Sequence, residues 1–516
     1  MPSRPTYGSM SLPTTHESRW NKMTIAQNYE VGKGETINLS AIISNIFDQV
    51  MAIGRAALVS ALETWDTELL QTRDRERYRC KGLQTASIKT KLGVVTYRRR
   101  VYIDRAVSSG VHCVHLLDQA LQIDKVGLIA SDVCELSAEL ICRMSYRDVA
   151  KTIGESTGLT LSHKGVWNLI QRFSERPQAL VQRWNQLNEK QAGTGTVSSD
   201  ILYEEKDGLW LKLQGKDRLA HGPDKEMKVG IVYDGALWQE SAHKTKRRSL
   251  DNKVAYATFD PLPEFQKGLN AVASGKFQLD QVKLWVTNGD GANWIQGKNT
   301  PEHLYTLDAY HRNRKISRCV QDPALVQELL RLLYAKDIPA LLQRIEEALA
   351  QTEDEKAREG LQTLLSYYRE NQDALLSYYD RNVKIPETRE PGVVHHARLG
   401  SMESNIYTII GNRMKGSRAC WSIQGGNHLA LLLCLYHTDG FGHLFDPLPS
   451  LPETVEEDSK AEVDFPEDPF GPPISAAKMP LSVGKGNACY CRATVPNSSW
   501  LKQITGYKSF ADLSLQ

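Results

Sequence analysis

The spacing of apolar residues changes period several times along the chain, and each change predicts a change of structure. Residues 38–72 repeat apolar side chains at i, i+3 and i+4, which predicts one or two amphipathic helices. Residues 88–104 instead alternate apolar and basic residues around Gly93, which predicts a β-hairpin with a basic face. Residues 1–35 are polar, rich in Ser, Thr and Pro, and without a period, so we expect a flexible tail.

A second helical pattern covers residues 126–188 and contains two short helices in succession. The first would run from Tyr146 to Ile153, and Ser162 would cap a second helix that ends at Phe173. Its apolar side would pack on the first helix, and its polar side would expose His163, Lys164, Asn168 and Arg172. This spacing is typical of a helix-turn-helix, but helical hairpins also occur in cores that never contact DNA.

A different pattern follows a short linker at residues 191–199. Five β-rich runs lie at 201–214, 226–237, 253–259, 282–290 and 304–311. Residues 322–380 are then almost purely helical, without a strand signal. We therefore predict an α/β domain that is interrupted by a helical insertion.

Length and charge distribution refine this division. A chain of 516 residues is too long for one ordinary core, so several domains are expected. The net charge of +2 hides a segregation of charge: residues 73–105 carry eleven Lys and Arg against three acids, whereas residues 446–468 carry nine acids against one Lys. The basic segment favours a polyanionic partner, although two solvated surfaces would give the same pattern.

The cysteines and the apolar runs indicate where in the cell the protein is expected to be. The nine cysteines form no CxxC pair and follow no signal peptide, so reduced thiols in a cytoplasm are expected. The longest apolar run, at residues 429–436, is far shorter than the roughly 18 residues that span a bilayer. We expect a cytoplasmic protein without a membrane role.

Three carboxylates occupy special positions in these elements. Asp207 lies within a strand run and precedes Gly208, which would let another segment approach closely. Asp290 ends an apolar strand run, and Glu403 opens a helix. We expect Glu403 to face the core, together with the apolar residues that follow it at i+3, i+4 and i+7, namely Ile406, Tyr407 and Ile410.

Phosphodiester chemistry explains why such acids would be gathered. Hydrolysis and transfer use divalent cations that activate the attacking oxygen and stabilise the leaving oxygen. Mg²⁺ prefers carboxylate and water oxygens, so acids delivered from two strands and a helix suit it. Each acid alone is equally explained as a turn or helix-start residue.

Several blocks of the chain resemble, in order, the ISLre-type bacterial insertion-sequence transposases. The blocks are LYEEKDGLWLKLQG, NGDGANWI, LDAYHRNRKI and GSMESNIYTIIGNRMKGSRACWS, preceded by TKLGVVTYRRRVYID, SYRDVAK and SHKGVWN. The resemblance covers residues 85–435. It implies a transposase of the Asp, Asp, Glu type, related to the Mutator-like group, with an RNase H-like catalytic domain interrupted by a helical insertion.

The resemblance also implies a site and its partners. Asp207, Asp290 and Glu403 would be both the catalytic residues and the ligands of Mg²⁺, for which Mn²⁺ would substitute. Asp200 remains an alternative first acid, because this chain reads Glu-Glu-Lys before Asp207 where the family often has an acidic, apolar lead-in. Asp234 and Asp308 are weaker candidates for a metal or supporting role. The partners would be the terminal inverted repeats, target DNA and a second copy in a homodimer or higher oligomer.

Cations and one aromatic residue are candidate DNA contacts. Cations hold phosphates, an Asn or Lys on a recognition helix reads base edges, and a Trp can stack on a frayed base. The candidates are Arg98, Arg99, Arg100, Lys164, Asn168, His311, Arg312, Arg314, Arg413, Lys415, Arg418 and Trp421. Core packing is an equal alternative for Trp421.

The predicted domain order follows from these elements. We divide the chain into a tail (1–35), N-terminal helices with the basic hairpin (36–125), the helix-turn-helix region (126–192), the catalytic domain in two parts (193–320 and 385–445), the helical insertion (321–384) and an acidic, Pro-rich linker and tail (446–516). Two alternatives to a transposase remain open: an RNase H-like nuclease or junction resolvase without strand transfer, and a non-enzymatic DNA-binding regulator.

Overall fold

Hydrogen-bonded strands and capped helices follow the predicted pattern over most of the chain. The computed structural model describes residues 39–106, 112–121, 125–126, 128–240, 246–292, 294–295, 299–386 and 399–451. The predicted tail at 1–35 and most of the predicted acidic segment at 446–516 lie outside these residues. Where it is described, the chain has a mixed α/β architecture.

The N-terminal part pairs one long helix with a β-hairpin. Helix α1 (Leu39–Thr72) is a single helix, and β1 (Tyr78–Thr90) pairs antiparallel with β2 (Gly93–Asp104). The hairpin is confirmed, but β1 begins ten residues earlier than expected. Gly93 has a φ of +104°, a left-handed conformation that favours glycine in the tight turn. Three two-residue strands complete this sheet in the order β3-β2-β1-β5-β4: β3 (Cys113–Val114), β4 (Lys125–Val126) and β5 (Ile129–Ala130).

The second half of α1 covers β2. Leu62 is buried in a small core with Val95 and Tyr97. The Glu63 carboxylate accepts a hydrogen bond from the main-chain N–H of Arg98, and Asp66 accepts one from that of Arg100, both at 3.0 Å. These acids satisfy strand N–H groups that would otherwise be open to pairing. By length and composition alone, α1 could also cross a membrane, whereas no other helix in the described parts of the chain could.

The predicted helix pair forms, with its caps. After α2 (Leu116–Ala120) and α3 (Ser131–Ile141) come α4 (Tyr146–Thr157), α5 (His163–Phe173) and α6 (Glu175–Glu189). Helix α4 is one turn longer than expected and ends at Gly158, whose φ is +69°. The Ser162 hydroxyl accepts a hydrogen bond from the Gly165 N–H at 3.0 Å, as an N-cap does. The expected apolar residues of α5 are buried, and the expected polar ones are exposed.

A five-stranded mixed sheet forms the centre of the next region. All five predicted strands are present: β6 (Ile201–Lys212), β7 (Asp224–Tyr233), β10 (Val254–Thr258), β11 (Leu284–Gly289) and β12 (His303–Leu307). Their order is β10-β7-β6-β11-β12, with antiparallel pairing from β10 to β6 and parallel pairing from β6 to β12. The sequence pattern missed a separate hairpin of β8 (Gly235–Glu240) and β9 (Lys246–Asp251). Helices α7 (Gly215–His221) and α8 (Leu262–Lys276) accompany these strands.

Helices lie before, within and after the predicted insertion at 321–384. They are α9 (Ala309–Cys319), α10 (Pro323–Tyr334), α11 (Ile338–Gln351) and α12 (Glu355–Glu370). Their apolar faces share a core with Tyr305 and Leu307 of β12, so these helices pack directly on the sheet. Helix α13 (Met402–Ile406) continues through a π-helical turn (Tyr407–Gly411) into α14 (Asn412–Met414), and α15 (Ile423–Tyr436) follows.

Candidate active site

Strand β6 carries Asp207 in its middle, directly before Gly208. Asp207 is paired with Val229 of β7, and its Oδ1 accepts a hydrogen bond from the Gly208 N–H at 2.7 Å. A Cβ atom at position 208 would lie 2.0 Å from Oε1 of Glu226. The expected close approach at Gly208 is therefore made by the Glu226 side chain, which occupies the space that a Cβ would fill.

The parallel strands β11 and β12 bring two more acids to the same edge of the sheet. Asp290 directly follows β11, and its Oδ1 accepts a hydrogen bond from the Ala292 N–H at 2.9 Å. Asp308 directly follows β12 and caps α9, because its Oδ1 accepts from the N–H groups of Tyr310 and His311 at 3.0 and 3.1 Å. This cap fixes the first turn of α9, from which the His311 side chain projects.

Glu403 lies on α13, but the expectation that it faces the core was wrong. Its side chain is 79% exposed. Of the predicted stripe, Ile406 and Ile410 are buried, but Tyr407 is exposed like Glu403, and the residues one position earlier, Met402 and Ile409, are buried beside them. One residue corresponds to about 100° around a helix, so Glu403 is turned from the core toward a cavity beside the sheet.

The carboxylates and one histidine converge on this cavity, which has a volume of about 410 Å³. Ligand atoms of Asp207, His311 and Glu403 all lie within 4.8 Å of one another. Nδ1 of His311 is 4.0 Å from Oδ2 of Asp290, and Nε2 is 4.0 Å from Oε2 of Glu403. The three acids predicted from the sequence therefore surround one imidazole.

The electrostatics of this cluster favour a bound cation. Burial, and to a smaller extent the carboxylates of Asp290 and Glu403, raise the pKa of Asp207 to about 6, while the Gly208 N–H and His311 oppose the rise. Like charges in a half-buried site disfavour the ionised form, and a divalent cation relieves this repulsion. The ligand atoms close enough together to hold one ion come from two carboxylates and an imidazole, those of Asp207, Glu403 and His311; the carboxylates fit Mg²⁺ or Mn²⁺, the imidazole is better suited to Mn²⁺, and Asp290 lines the same cavity outside this group.

Glu205 is a residue of this site that the sequence analysis did not assign. It is fully buried on β6 and accepts hydrogen bonds from the Tyr233 hydroxyl at 2.7 Å and the Asn288 side chain at 3.1 Å. It also accepts from the main-chain N–H groups of Gly400 at 2.9 Å and Ser401 at 3.0 Å. Burial raises the pKa of Glu205, and these hydrogen bonds oppose the rise. Glu205 thus ties the start of the Glu403 helix to the strand that carries Asp207.

The neighbouring acid, Glu204, belongs to the other face of the sheet. Its carboxylate is 2.7 Å from the Lys206 ammonium and accepts a hydrogen bond from the Thr287 hydroxyl at 2.8 Å. Burial acts to raise the pKa of Glu204, but Lys206 and the hydrogen bonds lower it overall. Because successive side chains of a strand point to opposite faces, Glu204 and Glu205 lie on opposite faces of the sheet and have different hydrogen-bond partners.

The other acids considered from the sequence lie apart from the cavity or behind it. Asp200 precedes β6 and forms an ion pair with Lys283 at 3.1 Å, at the far end of the strand from Asp207. Asp234 accepts a hydrogen bond from the Asn252 side chain at 3.0 Å and does not line the cavity. Asp308 does line it, and its Oδ2 accepts from Asn288 at 3.3 Å.

The residues expected to bind DNA near the carboxylates divide into two groups. His311 lines the cavity that holds the carboxylates, and the exposed Arg314 lines a smaller cavity next to it. Arg312 is half-buried and donates to the Leu375 carbonyl, so it faces the helical region instead. Lys415 and Arg418 are exposed but do not line the carboxylate cavity.

Trp421 and Arg413 pack inside the protein rather than beside the acids. Trp421 is 7% exposed, and its indole N–H donates to the Met414 carbonyl at 2.9 Å. The Arg413 guanidinium lies 5.5 Å from the Trp421 ring centroid and donates to the Ile141 carbonyl at 2.8 Å. The core-packing alternative for Trp421 therefore describes its position, and neither side chain is available to DNA in this arrangement.

The predicted DNA contacts before residue 190 also divide. Arg99 is 9% exposed and forms an ion pair with Asp118, and Arg100 pairs with the buried Asp66 at 2.6 Å. These two guanidiniums hold the hairpin to helices, which disagrees with the expectation that they contact phosphates. Arg98 is 64% exposed, and Lys164 and Asn168 are exposed on α5, so these three remain accessible.

Comparison with known proteins assigns a family. A family model described as "Uncharacterised protein family (UPF0236)" matches residues 33–443, a span that contains every residue of the carboxylate cavity. The "UPF0236 protein in vanSb 3'region" of Streptococcus gallolyticus is 23% identical over 417 residues, which cover 78% of this chain and 84% of that protein.

Proposed function

We propose that this chain, a member of the uncharacterised protein family UPF0236, is a DNA transposase that cuts and joins DNA at Asp207, Asp290 and Glu403. The observation that carries the proposal is the convergence of these acids, from two strands and a helix far apart in sequence, around His311 in one cavity. An acid whose pKa is raised, as that of Asp207 is, and that shares a cavity with other acids is typical of a catalytic site.

The sheet supports an RNase H-like catalytic domain in this proposal. Numbered within the sheet, the strand order is 3-2-1-4-5, with three antiparallel strands followed by two parallel ones. The first acid lies on the central strand, the second follows the adjacent parallel strand, and the third lies on a helix beyond the helical region. We propose that α10–α12 are the insertion of this domain and that α9, which carries His311, belongs to the catalytic domain itself.

The side chains have distinct tasks in the proposed reaction. Asp207, Asp290 and Glu403 would hold the metal, with His311 beside them. Bound Mg²⁺ supplies activation of the attacking oxygen and stabilisation of the leaving oxygen. In the first step water attacks a phosphodiester, a P–O bond breaks, and a DNA 3′-hydroxyl is released. In the second step that hydroxyl attacks a target phosphodiester, so one P–O bond forms as another breaks.

Positioning in this reaction would depend on residues behind the acids. Glu205 holds the Gly400–Ser401 backbone, from which α13 delivers Glu403. Asp308 holds the first turn of α9, which delivers His311. Both carboxylates accept hydrogen bonds from backbone N–H groups, so each fixes a main-chain segment that carries a residue of the site before substrate binds.

We further propose that the terminal repeats are bound by the region before residue 190. The exposed Lys164 and Asn168 on α5 suit a recognition helix, and Arg98 suits a phosphate contact. The proposed homodimer is supported by the first half of α1, where Leu39, Ile43, Ile46 and Val50 are all exposed; their 4-3-4 spacing is that of a coiled-coil seam. We place this activity in the bacterial cytoplasm, at the nucleoid.

A strand-joining assay tests the proposal. Labelled DNA that carries the repeats flanking the gene is incubated with the chain and Mg²⁺, and with the Asp207→Asn, Asp290→Asn and Glu403→Gln variants. We expect cleavage and joining by the unaltered chain and neither by the variants, while DNA binding persists. Asp200→Asn is the matched control, since this acid lies outside the cavity, and it should retain both steps.

The same assay separates the alternatives. Cleavage without joining would identify a nuclease or resolvase instead. Repeat-specific binding without cleavage would identify a DNA-binding regulator. Full activity in any one of the three triad variants would remove that residue from the catalytic set.

A further inference from the structure

A second cavity, of about 190 Å³, adjoins the carboxylate cavity along α9 and shares Asp290 and His311 with it. We call it the α9 cavity. Its other lining residues are three cations of α9 and a tyrosine of α12: Arg314, Lys315, Arg318 and Tyr367. Of these four residues, only Arg314 was among the DNA contacts predicted from the sequence, because nothing in the local sequence shows that α12 packs beside α9 at this cavity.

The cations of this cavity occupy one face of α9. His311, Arg314, Lys315 and Arg318 are related by i, i+3, i+4 and i+7, which places them along one side of a helix. None of the three Lys and Arg side chains takes part in the salt bridges found within the described residues. Three cations in one small cavity repel one another, and a bound anion relieves the repulsion.

Aromatic rings hold two of these cations without neutralising them. The Arg314 guanidinium lies 5.4 Å from the Tyr310 ring centroid and donates to its hydroxyl at 2.9 Å. The Lys315 ammonium lies 5.0 Å from the Tyr367 ring centroid. Such cation–π contacts restrict the side chain while its charge stays available to an anion.

Tyr367 also connects this cavity to the catalytic loop. Its hydroxyl donates to the main-chain carbonyl of Asp290 at 2.7 Å. Gly291 packs against its ring so closely that a Cβ there would lie 2.7 Å from a ring carbon, and the φ of Gly291 is +89°. A single residue of α12 thus fixes both the backbone of Asp290 and the position of Lys315.

We propose that the α9 cavity is a phosphate subsite, which holds the DNA phosphate next to the one at the carboxylates. This inference rests on the proposed function, because it takes the strand that reacts at Asp207 as its ligand. Consecutive phosphates of one strand are neighbours, and the two cavities share a wall at Asp290 and His311. The strand then leaves the carboxylates along α9 toward Arg318, and α12 completes the subsite through Tyr367.

The test is a binding measurement that needs no catalysis. Anisotropy of a labelled single-stranded oligonucleotide is measured in EDTA at several salt concentrations. One phosphate contact on a single strand contributes about 0.7 to the slope of log K against log salt. We expect the double variant Lys315→Gln/Arg318→Gln to lose about 0.7 of the slope and roughly three- to tenfold in affinity at low salt. The matched control is Arg331→Gln/Lys356→Gln, two exposed cations of the same helical region outside the cavity.

Two further variants separate position from charge. Arg318→Lys, made in a chain that retains Lys315, keeps the positive charge, so its slope of log K against log salt should equal that of the unaltered chain. Tyr367→Phe keeps the ring under Lys315 but loses the hydrogen bond to the Asp290 carbonyl, so it should lower kcat for cleavage while the slope of log K against log salt stays that of the unaltered chain, since no charge is removed. Thermal unfolding of each variant identifies one that has failed to fold.

The outcomes distinguish this inference from the proposed function. A slope equal to that of the Arg331→Gln/Lys356→Gln control overturns the subsite, whether or not the chain cleaves DNA. A reduced slope in a chain that never cleaves DNA with Mg²⁺ supports the subsite and overturns the transposase proposal. A chain that binds no single-stranded oligonucleotide overturns the subsite, whereas the transposase proposal is decided by the strand-joining assay.

Discussion

Replacing Glu205 by Gln should displace Glu403 although the two residues never touch. The Glu205 carboxylate accepts hydrogen bonds from the N–H groups of Gly400 and Ser401, and a glutamine amide presents an NH₂ group in place of one oxygen. Hydrogen bonds to a charged group contribute about 1.5–3 kcal/mol each. Because burial disfavours the charged form of Glu205, replacing it by a neutral amide removes that cost and offsets part of the loss. We expect a net loss of about 3 kcal/mol at this junction.

Hydrogen exchange measures this loss without any catalytic assay. A local loss of about 3 kcal/mol corresponds to roughly 100-fold faster exchange at the amides of Gly400 and Ser401, since 1.4 kcal/mol is a factor of ten. Cleavage by Glu205→Gln should fall by about 100-fold, because a displacement near 1 Å of a catalytic group costs that much.

Glu204→Gln is the matched control for both readouts. It removes an equally buried acid from the adjacent position of β6 and breaks the pair with Lys206, but that pair lies on the other face of the sheet. It should lower global stability and leave the exchange of Gly400 and Ser401 unchanged. If the amides of Gly400 and Ser401 exchange at the same rate in both variants, Glu205 does not hold the Glu403 helix in place.

Four further predictions follow from particular contacts. In the metal-free chain, the free energy of unfolding should fall as pH rises from about 4 to 6, because the raised pKa of Asp207 keeps a proton on the folded state after the unfolded state has lost it. The Asp207→Asn variant should lack this pH dependence and should be more stable at pH 7.5 by at most about 3 kcal/mol. Urea unfolding in EDTA measures both effects. Trp421→Ala should cost about 3–5 kcal/mol of stability, and a loss of DNA affinity at unchanged stability would contradict core packing. Ser162→Ala should cost about 1 kcal/mol in the same unfolding assay, and no change would contradict the cap. Lys164→Ala with Asn168→Ala should reduce the preference for repeat over random duplex in titrations; unchanged preference would assign α5 to packing.

Local chemistry made much of the fold predictable. Alternation of apolar residues placed all five strands of the central sheet, and the Ser162 cap placed the start of α5, because these signals act between residues close in sequence. Asp207 and Asp290 could be singled out for the same reason, since strand position and flanking glycine are local features. The β8–β9 hairpin was missed, because its residues lack an apolar alternation.

The register of a helix face and the partners of charged groups were decided by tertiary structure. Sequence spacing allowed two adjacent stripes on α13, and packing of Met402 rather than Glu403 against the core selected one of them. Arg99 is paired with Asp118 because α2 folds over the hairpin, so its charge is used inside the protein. Side-chain charge alone does not distinguish an arginine that binds a phosphate from one that binds an aspartate.

The sequence by itself therefore determined the elements, the apolar faces of most of them and two of the acids at the sheet edge. Only the tertiary structure brought His311 between the carboxylates and joined Glu205 to the Gly400 N–H, 195 residues away. It also placed Tyr367 of α12 under Lys315. Helix and strand formation follows from interactions within a few residues, whereas these contacts depend on which surfaces pack together, and no local signal encodes that choice.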